Sequence, residues 1–171
     1  MSEKKILVGT IDYPASKRVV QKDVDVVELS ATHAVQVKTS TGRKWRREAG
    51  ALLAFSLQAP RHIFEKPPEG TPLPGDLSGY GGFKISKENI DLWNNFAKVA
   101  DAMEAQTKII LTPPSFTPSR ANVNAFAAFL EQVRSEGAVS NADIAWEPKG
   151  PWEMEQATAF AAENVFLLAV D

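Results

Sequence analysis

The sequence predicts an α/β fold of the TIM-barrel type, with parallel strands and about six of the eight βα units of a complete barrel. Short apolar runs recur along the chain, and most are continuous rather than alternating, as in strands covered on both faces. Segments with helical spacing of apolar residues separate the later runs. This succession is typical of right-handed βαβ crossovers in a parallel sheet.

The elements follow in chain order. The predicted strands are Ile6–Ile11, Val24–Leu29, Leu52–Leu57, Lys108–Thr112, Asp143–Trp146 and Val165–Val170. The predicted helices run from the Ser86 cap to Met103, from the Ser119 cap to Gly137, and from Glu153 to Glu163. The connections 15–22 and 42–50 can each hold only about two or three helical turns.

The first strand's turn decides between a barrel and an open, doubly wound sheet. A dinucleotide-binding sheet has a Gly-rich phosphate turn after its first strand. The corresponding turn here, from Gly9 to Pro14, contains one glycine. The pattern therefore favours the barrel.

Composition excludes several classes of protein. The chain has 171 residues, of which 44% are hydrophobic and 23% charged, so we expect one globular domain over residues 1–171. A net charge of -2 argues against a nucleic-acid partner. No apolar run is long enough to span a membrane, and no signal peptide is evident, which predicts a cytoplasmic protein. The sequence contains no cysteine.

The last predicted strand raises a question of completeness. It reaches Asp171 with no helix after it, and six βα units cannot close an eight-stranded barrel. We expect the chain to be a fragment of a longer barrel; an unusual architecture is the alternative.

A long segment rich in proline and glycine, residues 60–85, follows the third strand. Long loops in compact domains are usually lids, binding loops or disordered segments. Its place after a strand predicts a partly ordered lid anchored by Tyr80 and Phe83, with plain disorder as the alternative.

Two carboxylates at strand ends are the candidate catalytic residues. Glu28 and Glu147 each lie at the end of an apolar strand, where parallel α/β folds bind ligands. A charge there must be paired, hydrated or functional. They could act as general acid and base, or they could form salt bridges with Arg61 or Lys149.

Polar and aromatic residues near the same edge are candidates for substrate binding: Thr10, Thr32, Gln58, Arg61, Trp146, Lys149 and Asp171. Trp146 could stack on a sugar or a base. Consecutive strand residues point to opposite faces, so only one of Trp146 and Glu147 can face the barrel interior.

Metal and cofactor signals are weak. The two histidines, His33 and His62, do not stand at ligand spacing, so no metal site is predicted and both are expected to be exposed in loops. No phosphate-binding loop or zinc-protease motif occurs. The cofactor is therefore unknown, and the expected partner is a small molecule.

A resemblance to a known family is carried by short segments: residues 8–10, 26–29 with Thr32, 55–60, 75–81, 112–116 and 144–150. In these segments the chain resembles the YecE-like proteins, the family called domain of unknown function 72 (DUF72). It looks closest to the archaeal members. The resemblance implies a TIM-barrel-type fold, a site at the strand ends and two further βα units, but no reaction.

The chain departs from that family at several polar positions. The family usually has lysine at Gln58, glutamine at Leu111, arginine at Lys149, and an asparagine and an aromatic residue near Ala31 and Ala34. These departures leave two hypotheses open. One is an enzyme that uses Glu28 and Glu147 on a small phosphorylated or sugar-like molecule; the other is a decayed paralogue with a binding or interaction role.

Overall fold

The computed structural model describes residues 6–50, 52–135, 142–164 and 166–169. Its strands are β1 Gly9–Ile11, β2 Val26–Leu29, β3 Ala54–Gln58, β4 Thr107–Thr112, β5 Asp143–Pro148 and β6 Leu167–Leu168. Its helices are α1 Lys17–Asp23, α2 Ala31–Ala34, α3 Thr39–Ala49, α4 Lys87–Ala102, α5 Arg120–Ser135 and α6 Met154–Glu163. Each predicted strand therefore overlaps an observed one: β4 and β5 contain the whole predicted run, whereas β1 takes only the last three residues of the run 6–11.

The strands form one parallel sheet in the order β1-β2-β3-β4-β5-β6. A doubly wound sheet reverses its strand order at a switch point, whereas this order never reverses. Right-handed crossovers in a sequential order place every connecting helix on the same side of the sheet. The fold is therefore α/β and barrel-like, as the sequence predicts.

The two faces of the sheet differ in what covers them. On the outer face, Val27, Phe55 and Trp146 pack into the core together with apolar residues of α4 and α5. On the inner face, the register aligns Ile11 with Glu28 and Glu28 with Ser56. Because strand residues alternate, each strand sends one set of side chains to the helices and the other to the inner face.

An aromatic cluster fills the space between the sheet and α5. Phe126 is fully buried, and its ring stacks on Phe83 with 4.2 Å between centroids. Trp146 meets Phe126 edge to face at 5.7 Å. Large aromatic side chains bury much apolar area, so this cluster fixes α5 and the 60–85 segment against the sheet.

The 60–85 segment is packed onto the barrel rather than disordered. Its predicted anchors, Tyr80 and Phe83, are each 1% exposed. Backbone bonds from Gly81, Gly82 and Phe83 to residues 62–64 return the segment to its own start. Gly81 has a φ of +80°, and an added Cβ would lie 2.8 Å from the Lys66 nitrogen, so glycine is required there.

One side chain of α4 clamps this segment. Asn89 is fully buried, and the two N–H groups of its Nδ2 are shared among the carbonyl oxygens of Ile63 at 3.1 Å, Lys84 at 3.1 Å and Gly81 at 3.4 Å. Asn89→Ala leaves these acceptors buried without this donor, so the free energy of unfolding should fall by about 3 kcal/mol in urea denaturation. Asn95→Ala, on the exposed side of α4, is the control. Equal stability of the two variants would contradict the clamp.

A lysine is buried on the outer face. Lys108 is 3% exposed and its Nζ lies 5.8 Å from the centre of the Trp93 ring. Burial lowers the pKa of Lys108 below the ordinary lysine value of 10.5. Protonated Lys108 therefore destabilises the native state at neutral pH.

Lys108→Met should raise the free energy of unfolding at pH 7 by about 1 to 2 kcal/mol, because the charge no longer has to be buried. Between the lowered native pKa and the unfolded value, the unfolded chain binds more protons, so wild-type stability rises with pH in that window. The gain of the variant should accordingly shrink at pH 10. A gain in the free energy of unfolding that does not change with pH would refute the destabilising effect of burying Lys108. An equal gain in the control Lys98→Met, at an exposed position of α4, would refute it as well.

Candidate functional site

The carboxyl ends of β2 and β3 carry the most connected polar cluster. Gln58 is 8% exposed and its Nε2 donates to Glu28 Oε1 at 2.6 Å. The buried Thr32 donates its hydroxyl to the Gln58 carbonyl oxygen at 2.7 Å. Three of the predicted site residues, Glu28, Thr32 and Gln58, are thus brought together.

Asp12 directly follows β1 and lies beside this cluster, since its backbone N–H donates to the Glu28 carbonyl oxygen at 2.7 Å. It was not among the predicted site residues. Its carboxylate accepts the backbone N–H of Ser30 at 2.9 Å and the Ser30 hydroxyl. Its φ of 52° is in the left-handed region, which few residues other than glycine adopt. A carboxylate directly after the first strand was the signal available in the sequence.

The carboxyl end of β5 carries the second carboxylate. The Glu147 side chain is 15% exposed, and its Oε1 forms a salt bridge with Lys149 Nζ. The register aligns Glu147 with Leu111, on the inner face of the sheet. The predicted salt bridge therefore exists with Lys149, and in the described part of the chain no ion pair joins Glu147 to the exposed Arg61.

Two predicted binding residues point away from the inner face. Trp146 is fully buried among aromatic rings, and its Nε1 donates to Thr112 Oγ1 at 3.0 Å. It cannot provide a stacking platform for a ligand, and the prediction for Trp146 is wrong because strand alternation places it under the helices. Thr10 aligns with Val27, so its side chain shares the outer face, although the residue also lines the cavity beside Glu28. Asp171 lies outside the described residues.

The histidines are less exposed than expected. His33 is half-buried, and its Nδ1 donates to the Ala59 carbonyl at 2.9 Å. His62 is 7% exposed, and burial lowers its pKa. In residues 6–50, 52–135, 142–164 and 166–169, no group of three or more His, Asp or Glu side chains could hold a metal ion.

The two carboxylates border separate cavities. Glu28, Ile11 and Ser56 line one of about 280 Å³ on the inner face. Glu147 lines another of about 230 Å³ together with Trp152 and Met154. Since β2 and β5 are three strand spacings apart, the two carboxylates are separated by about 14 Å along the sheet.

Among the helices that the structure describes, none could cross a lipid bilayer.

Known structures share this architecture. A DUF72 family protein from Enterococcus faecalis is 14% identical, with a TM-score of 0.66 over 95% of this chain and 61% of its own. A DUF72 family protein from Thermotoga maritima is 17% identical, with a TM-score of 0.53 over 85% of this chain and 49% of its own. A xylose isomerase domain protein from Planctomyces limnophilus is 12% identical, with a TM-score of 0.58 over 96% of this chain and 62% of its own.

The chain has the fold of the DUF72 proteins. The resemblance seen in the sequence is thereby confirmed at the level of the fold. No protein-family model and no curated protein sequence matches the chain. It spans 49% to 62% of the length of these solved structures.

The bond between Gln58 and Glu28 can be tested by a double-mutant cycle. Glu28→Leu, Gln58→Leu and the double variant should show a coupling energy of about 1 to 2 kcal/mol in urea denaturation, because the bond involves a buried amide and a carboxylate. The exposed Lys17–Glu48 ion pair is the control cycle and should give under about 1 kcal/mol. A Glu28–Gln58 coupling near zero would show that the two side chains do not interact in solution.

Proposed function

We propose that this chain forms part of a barrel enzyme that acts on a small sugar-like or phosphorylated molecule at the carboxyl ends of its strands. Glu28 is the proposed general base at one end of the substrate site, and Glu147 with Lys149 is the proposed group that binds substrate oxygens at the other end. The proposal takes the protein to be cytoplasmic.

The observation that carries this proposal is the placement of both carboxylates. Glu28 and Glu147 are on the inner face, each at the carboxyl end of its strand, and each is oriented by one polar neighbour. Barrel enzymes bind substrates at this end of the strands. A carboxylate oriented by an amide or an ammonium group is prepared for proton transfer without further rearrangement.

The structural neighbours support the sugar-like class only by analogy of fold. One of them is named as a xylose isomerase domain protein, and isomerisation of a sugar proceeds through movement of protons or hydride between neighbouring carbons. A shared fold hosts many chemistries, so the argument for this chain depends on its own carboxylates.

A binding protein without catalysis is the second candidate, and Gln58 favours it. At 2.6 Å, its amide already occupies one oxygen of Glu28. A carboxylate that is satisfied within the protein is less available as a base. Under this alternative, the Glu28–Gln58 bond stabilises the sheet and any ligand is held without turnover.

Turnover measurements on the full chain separate the two. In a screen of aldoses, ketoses and their phosphates, Glu28→Gln and Glu147→Gln should each lower kcat/KM by about 10² to 10⁴, the range typical of general acid–base residues. Glu48→Gln, at an exposed carboxylate of α3, is the matched control. Turnover that is unchanged in both site variants would refute the roles of Glu28 and Glu147, and binding without any turnover would establish the second candidate.

A further inference from the structure

The cavity beside Glu147 combines one carboxylate with mostly apolar walls. Its volume is about 230 Å³, and apart from Glu147 its walls are mostly apolar, including Trp152, Met154 and Leu168. It lies where β5 leads into α6, apart from the cavity that Glu28 lines. Its chemistry is therefore that of one carboxylate set among apolar surfaces.

Trp152 is fixed before any ligand arrives. Its Nε1 donates to the Phe116 carbonyl oxygen at 2.7 Å, and its ring lies nearly parallel to Phe116, with 5.9 Å between centroids and 19° between planes. Trp146 meets it edge to face at 4.8 Å. Because these contacts hold the indole, binding a ligand against it costs little side-chain entropy.

Trp152 also differs from the other tryptophans of the chain. Trp93 and Trp146 are buried in the core, and Trp45 is half-buried on α3. Trp152 is half-buried as well, but it borders a cavity that a carboxylate also lines. An aromatic surface beside a hydrogen-bonding side chain is the usual composition of a site for an amphipathic small molecule.

The salt bridge decides which ligand fits. Lys149 already neutralises the charge of Glu147, so a cationic ligand would find little net attraction. The carboxylate nevertheless keeps lone pairs that can accept bonds from hydroxyl groups. A neutral molecule with hydroxyl groups on its rim and C–H groups on its faces can donate hydrogen bonds to Glu147 and pack against the apolar side chains of the cavity.

The size of the cavity limits the ligand further. At about 230 Å³, it is smaller than the roughly 300 to 1,000 Å³ of pockets for drug-sized molecules. It therefore suits one ring rather than a chain of rings.

We propose that Trp152, Met154 and Glu147 form a subsite for a single neutral sugar ring, which packs its C–H face on Trp152 and donates hydroxyl bonds to Glu147. This rests on the proposed function, because it takes Glu147 to contact the substrate. It adds the class of the ligand and a binding residue, Trp152, that is not one of the strand-end residues.

The test is a titration of the full chain with the methyl glycosides of glucose, galactose, mannose and xylose. Binding of each glycoside is measured by saturation-transfer NMR. At least one should bind, and Trp152→Leu should raise its Kd about tenfold because the aromatic surface is lost. Trp45→Leu is the matched control and should leave the Kd unchanged.

A second variant guards against misfolding of Trp152→Leu. Met154 is 59% exposed, so Met154→Glu should fold normally while placing a hydrated charge on the apolar wall, and it should weaken binding several-fold. Val19→Glu, at an apolar position of α1 that is 50% exposed, is its control.

Two results would overturn the subsite: no glycoside binds, whether or not choline binds in a Trp152-dependent way, or binding is unaffected by both cavity variants. Each leaves the enzyme proposal to its own test with Glu28→Gln. Conversely, Trp152-dependent sugar binding without turnover of any sugar would retain the subsite and refute the enzyme proposal.

Discussion

The handedness of the βαβ crossover is the constraint on which the rest of this structure depends. A right-handed connection in a sheet of sequential order sends every helix to one side, so the outer face becomes the core and the inner face stays available. Strand alternation then sorts each strand's residues between these two environments. Trp146 and Glu147 are neighbours in the chain, yet one is part of an aromatic core and the other borders a cavity.

The polar groups of the inner face meet across strands rather than along them. Glu28 belongs to β2 and Gln58 to β3, while Asp12 follows β1 and bonds to Ser30 after β2. These bonds exist only when three strands are in register. The candidate site is therefore coupled to the sheet itself, and its geometry depends on the same pairing that stabilises the fold.

The sequence predicted the strands well because apolar runs depend on local composition. It also predicted that only one of Trp146 and Glu147 could face inward, but not which one. Strand alternation shows that two neighbouring residues face opposite sides, and only the position of the packed helices shows which side is the inner one. The short helix α2 and the clamp at Asn89 were missed, because both depend on contacts between residues distant in the chain. His33 and His62 were expected in exposed loops, and tertiary packing covers both.

The central claim is that the inner face carries Glu28 and Glu147 while the helices cover the opposite face. Since the chain has no cysteine, single cysteines at these positions can be labelled with iodoacetamide in the native state. The account predicts labelling at Glu28→Cys and Glu147→Cys without unfolding, and at Thr112→Cys, on the covered face, only through unfolding. Native-state labelling of Thr112→Cys at the same rate as Glu147→Cys would contradict it.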